Sequence, residues 1–118
     1  MDESFLKSWK VQTKKGLLLF LVLNVIKQKN CYGYEIIQKI NEATGIKMAD
    51  GTLYPLLKKL RNDQLVLCKW DVTEDQAPRK YYYLTGKGNS TLKEMNEYWF
   101  AQNIAINNLV KNEELVMV

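Results

Sequence analysis

The chain has 118 residues, 47% hydrophobic and 25% charged, which suits one domain with a real core and excludes disordered, collagen-like and mucin-like classes. Seventeen basic against thirteen acidic side chains leave a net +4. The excess is uneven, +3 over residues 1–45, +3 over 46–88 and −2 over 89–118, so an anionic partner would meet the first three quarters and avoid the tail.

In chain order, residues Phe5 to Lys29 read as one long helix, polar at first and apolar on every side from Leu17 to Leu23. A helix apolar all round must be covered on more than one face. In so small a chain, part of that cover is expected from a second subunit. The apolar window Gly16–Ile26 is eleven residues, whereas a membrane span needs about 20; it also lacks the position and cleavage site of a signal peptide. A buried helix in a cytoplasmic protein is the expectation.

Asn30-Cys31 breaks the pattern, and a second helix is predicted from Tyr32 to Ala43, stopped at Thr44-Gly45 because glycine accepts the left-handed conformation past a helix end. A third helix starts near Asp50 or Thr52 and ends near Asn62. Its Leu53, Leu56, Leu57 and Leu60 form an i, i+3, i+4, i+7 stripe. The opposite face then carries Pro55, Lys58, Lys59 and Asn62, flanked by Thr52 and Tyr54. Pro55 fits a helix starting close to Thr52, where its missing N–H falls among the unpaired donors of the first turn.

Leu65–Asp71 and Arg79–Thr85 read as strands joined by a polar loop that closes on Pro78, a hairpin. The run Tyr81, Tyr82, Tyr83 alternates sides, so at least one ring packs inward; Trp70 is expected to pack in the hairpin. Cys31 and Cys68 lack metal-site spacing and read as small hydrophobes in a reduced protein. Thr85 is a candidate N-cap for a last helix to about Val110. There Leu92, Met95, Trp99, Gln102, Ile106 and Leu109 step by 3 and 4, a heptad seam. A helix of roughly 36 Å exceeds what this domain can cover, so it should pair with its own copy.

The expected fold is mainly α with a small β-hairpin, a winged helix-turn-helix over 1–88 followed by a C-terminal dimerisation helix and tail over 89–118. That order suits a reader of double-stranded DNA, since the major groove admits one helix and the hairpin can lie over the adjacent backbone. Thr52 and Tyr54 hydroxyls at the positive helix end suit phosphates, with Pro55 on the same outward face. Lys58 and Lys59 can reach phosphates or guanine edges, and Arg79 and Lys80 add cations at the wing. The competing class is a winged-helix protein-interaction module without base readout. An enzyme is disfavoured: histidine is absent, as are a metal-ligand cluster, a nucleophile elbow and a glycine-rich phosphate loop, and no cofactor is implied.

The segments KGLLLFLVL (15–23), YGYEI (32–36), GTLYPLLKKL (51–60) and RKYYYLTGKG (79–88) resemble the PadR family of bacterial transcriptional regulators over about residues 15–88. The resemblance implies a homodimeric winged-helix repressor that binds a two-fold operator and leaves it on a signal. The single terminal helix is similar to the compact branch that includes multidrug-sensing members, in which a tryptophan of the last helix faces its dimer mate and can sandwich a small aromatic effector. Trp99 stands at the matching place. Read from physics, a rigid π-face on the seam serves either packing or ligand stacking. Trp9, with Phe5, could wall such a pore, and Asn103 and Asn107 could orient a ligand in it.

Overall fold

The computed structural model describes residues 3–73 and 75–112. In order these form α1 (Glu3–Gln28), β1 (Cys31–Tyr32), α2 (Gly33–Thr44), α3 (Asp50–Asn62), β2 (Val66–Asp71), β3 (Arg79–Leu84) and α4 (Gly86–Lys111). The chain is thus mainly helical with a small antiparallel sheet, the predicted fold class. The final residues 113–118 of the predicted tail lie outside the described residues.

Two differences from the sequence reading are local. The sheet has three strands in the order β1-β3-β2, because Cys31 and Tyr32 pair with Tyr82 and Tyr81 before α2 begins. And of the two starts the sequence offers for α3, Asp50 is the one taken, not the Thr52 that Pro55 favours, so Pro55 sits beyond the first turn. The carbonyl of Gly51 thereby forgoes its helical partner, a loss an exposed helix face tolerates because water can take its place. At the other end of α2, Gly45 adopts φ +75° and its N–H returns to Asn41 O at 2.8 Å, the left-handed stop expected there.

The core lies where α1, α2, α3 and the sheet meet. Val22, Leu23 and Ile26 of α1, Ile36 and Ile40 of α2, and Leu53, Leu57 and Leu60 of α3 are all buried. Each such side chain contributes about 1.5–3 kcal/mol by leaving water. Tyr82 is the inward ring of the tyrosine run, 3% exposed. It pairs with Cys31 on one side and Cys68 on the other, so two strand spacings, roughly 10 Å, separate the two cysteines. That exceeds the reach of a disulfide, and both thiols are free.

Burial raises the Cys31 thiol above its ordinary 9.0 and the Tyr82 hydroxyl above 10.0. The fold therefore favours their protonated forms. Their contribution is complete below pH about 9 and is lost as pH rises through the unfolded-state values toward the folded ones. Thermal unfolding followed by circular dichroism should show a midpoint that falls from pH 9 upward. In Tyr82→Phe the part of the fall that begins near pH 10 should shrink.

The molecule is long, 69 × 33 × 23 Å with a radius of gyration of 17.7 Å, where a compact chain of this length has about 13–14 Å. The excess comes from the first half of α1 and the second half of α4, which leave the body as exposed arms bearing Trp9, Phe100, Ile104, Ile106 and Leu109. The predicted seam divides accordingly. Leu92 is 1% exposed and Met95 packs against the core cluster, so the start of the seam is intramolecular and only its later positions face outward.

Candidate nucleic-acid interface

Burial of Leu53, Leu57 and Leu60 orients α3, and a helix turning 100° per residue then sorts its polar side chains into two flanks. Tyr54, Lys58 and Arg61 share the flank facing the wing. With Lys80 and Tyr82 of β3 and Leu67 of β2 they line a groove of about 440 Å³. Thr52 and Lys59 point to the other flank, both exposed. There Lys59 Nζ meets Asp63 Oδ2 at 3.4 Å across one helical turn, a solvent-exposed pair worth well under about 1 kcal/mol. The two neighbouring lysines are therefore not equivalent: Lys58 joins the convergent cluster and Lys59 shares its charge with a carboxylate.

The wing cations rest on rings. Lys80 Nζ lies 5.3 Å from the centroid of Trp70, and Arg79 Cζ lies 4.1 Å from that of Tyr32. These contacts orient a cation without neutralising it. Trp70 packs within the wing, as expected, but at its surface, 62% exposed. It shares the Tyr82 face of the sheet but stands beyond the reach of the core, and the Lys80 stem covers it instead.

Arg79 and Lys80 also line a second recess, of about 380 Å³, with Tyr32, Gly33, Tyr34, Asp50 and Tyr54. Tyr54 bridges the two. Its hydroxyl lies so close to Gly33 that a side-chain carbon there would stand 2.8 Å from it, so the glycine lets α3 lean on the start of α2. At that start the Tyr32 N–H donates to Glu35 Oε1 at 2.9 Å, and the Tyr32 hydroxyl donates to Asp71 Oδ2. The latter bond is the main cause of a raised Tyr32 pKa.

Of the predicted DNA-facing residues, the fold thus brings Tyr54, Lys58 and Lys80 to one groove and Tyr54, Arg79 and Lys80 to the next, and leaves Thr52, Pro55 and Lys59 outside both. Arg61 was missed. Its sequence signal was available, since it follows Tyr54 and Lys58 at i+7 and i+3 on one helical row. Tyr32 and Asp71 were missed because only strand pairing brings residues 39 apart together.

Trp99 lies midway along α4, at a separate groove of about 560 Å³ between α1 and α4. Gly16, Leu17, Phe20, Thr91, Glu94, Met95, Tyr98 and Trp99 line it, and the Phe20 and Trp99 ring centroids are 5.6 Å apart. The predicted companions Trp9 and Asn103 are not among these lining residues. Asn103 Oδ1 instead accepts from Asn107 Nδ2 at 3.3 Å.

A three-helix unit whose exposed third helix converges with a basic antiparallel wing defines a winged-helix DNA-binding protein. The match of the PadR-like transcriptional regulator family over residues 22–94 makes the assignment specific: the chain belongs to that family, and is a DNA-binding transcriptional regulator rather than an enzyme. Among solved structures it is similar to a PadR-like transcription factor from Bacteroides fragilis, 39% identical, covering 86% of this chain and 98% of that one with a TM-score of 0.73. It is also similar to a PadR family regulator from Eggerthella lenta, 28% identical, covering 92% and 95% at 0.81, and to a PadR-like regulator from Bacillus cereus, 32% identical, covering 85% and 97% at 0.77. Among the described residues no helix is long and apolar enough to cross a membrane, and no group of acidic and cysteine side chains could hold a metal ion.

Proposed function

We propose that the protein is a repressor that acts as a homodimer on a two-fold operator. The observation that carries this reading is the convergence of Tyr54, Lys58 and Arg61 on α3 with Lys80 on the wing, four groups suited to phosphate oxygens and base edges in one groove. Residues 1–88 would read the DNA and 89–118 would join the subunits. The exposed apolar side chains of both arms support that division, since apolar surface of this extent marks an interface. A footprint on the DNA beside its own gene tests the reading through half-site spacing. Two protected half-sites about one helical turn apart are expected, and the absence of a sequence-selective complex at moderate salt would overturn it.

A planar aromatic effector bound in the Trp99 groove would release the operator by favouring a dimer in which the two α3 helices are wrongly spaced; equal affinity for both geometries would shift nothing. The supporting observation is an apolar groove that ends on the Phe20–Trp99 pair and carries the Glu94 carboxylate on its wall, which suits a flat cation. Trp9 and Asn103 enter that site only if the second subunit brings them to it. A planar cationic dye should quench tryptophan fluorescence and lower operator affinity. In Trp99→Ala both effects should vanish, and unchanged quenching in that variant removes the residue from the site.

A further inference from the structure

We infer that Tyr32 is a positioning residue that draws Asp71 away from Arg79 and so keeps the wing arginine open to a DNA phosphate. The inference rests on the DNA-binding reading of the wing. Strand register sets Asp71 directly opposite Arg79, and oppositely charged cross-strand neighbours ordinarily pair. These two do not: among the described residues the ion pair is Lys59 with Asp63.

Asp71 instead accepts from the Tyr32 hydroxyl. Arg79 meets only neutral partners in the described structure: the Tyr32 ring at 4.1 Å, Gln76 Oε1 at 2.7 Å from Nη2, and Tyr34 Oη at 3.4 Å from Nη1. A guanidinium held this way is oriented and keeps its full charge. A phosphate can then take its outer N–H groups without first displacing a carboxylate, whose competition would cost affinity.

Tyr32 is itself fixed, by backbone pairing of β1 with Tyr81, by an edge-on contact to the Tyr81 ring at 5.0 Å and by Glu35 at its N–H. Its hydroxyl therefore stays where Asp71 ends. Tyr32→Phe keeps the ring under Arg79 and deletes only the donor. The cation directly across the strands from the released Asp71 carboxylate is then Arg79.

The test measures affinity and its salt dependence on a fluorescent duplex carrying the footprinted site, for the full-length protein and four variants checked by circular dichroism. Arg79→Ala is expected to weaken binding about tenfold and to lower the salt slope by about 0.9 per protomer. Tyr32→Phe should approach that loss, and Tyr32→Phe with Asp71→Asn should recover native affinity, because the competing charge is gone although the hydrogen bond is not restored. Asp71→Ala alone should bind at least as tightly as the native protein, which keeps the idea testable should the tyrosine variant fold poorly. Native binding by Tyr32→Phe, an unrescued double variant, or a tenfold loss in Asp71→Ala each overturns the inference. If Arg79→Ala itself changes nothing, the wing reading falls, and the inference with it.

Discussion

Alanine at both Lys58 and Lys80 is expected to weaken operator binding at least about tenfold and to flatten its salt dependence. Each phosphate a protomer no longer neutralises removes about 0.9 from the slope of log affinity against log salt, so the pair should remove about 1.8 per protomer. The effect is large because the two ammonium groups face one groove from two elements, α3 and β3. Neither is the cation of the ion pair that occupies the neighbouring lysine. Lys59→Ala should cost less, since Asp63 already offsets part of its charge. Fluorescence anisotropy on the footprinted duplex across a salt series separates the cases. A double variant with the native slope would place the groove away from the phosphates.

Gly88→Ala should be the most damaging of the glycine-to-alanine changes. A Cβ at Gly88 would stand 2.0 Å from the Leu65 carbonyl oxygen and 3.0 Å from its carbon. That carbonyl is anchored backbone, accepting the Thr85 N–H at 3.0 Å, and the N–H of the same residue is held by Leu60 O at 2.9 Å. Gly88 is in turn fixed by its own N–H, which donates to the Thr85 hydroxyl cap at 2.8 Å. With neither side able to yield, α4 must lift from the end of α3. A loss of about 3 kcal/mol or more follows, near 10 °C in midpoint for a domain this size. Gly51→Ala and Gly86→Ala meet nothing within 4 Å and serve as controls, expected to be neutral or slightly stabilising. A melting curve for Gly88→Ala that overlays theirs would show that the close approach relaxes without cost.

The parts of this architecture written in short-range pattern were legible in the sequence. The leucine stripe of α3, the Gly45 stop, the hairpin and the Thr85 cap each rest on residues within a few positions of one another, where helix and turn chemistry act. The residues that escaped were set by pairing between distant segments. The two-residue strand β1 has no periodicity of its own and exists because β3 offers it partners. With it come the Tyr32–Asp71 bond and the seat of Arg79.

The candidate interface was half legible for the same reason. An α3 wheel shows Lys58 and Lys59 side by side, but only the wing's position separates the one that converges with Lys80 from the one that turns to Asp63. On α4 the heptad steps from Leu92 to Leu109 are real, yet repeat spacing does not say which turns are claimed by the chain's own α1.

The row Cys31–Tyr82–Cys68 equips the protein with a native reporter of opening. A thiol reagent meets Cys68 at a partly exposed strand but finds Cys31 fully enclosed, with its sulfur donating to Lys29 O at 2.8 Å. Modification of the enclosed sulfur must wait for the sheet to come apart, so its labelling rate under native conditions tracks the population of open molecules with no dye or engineered residue introduced.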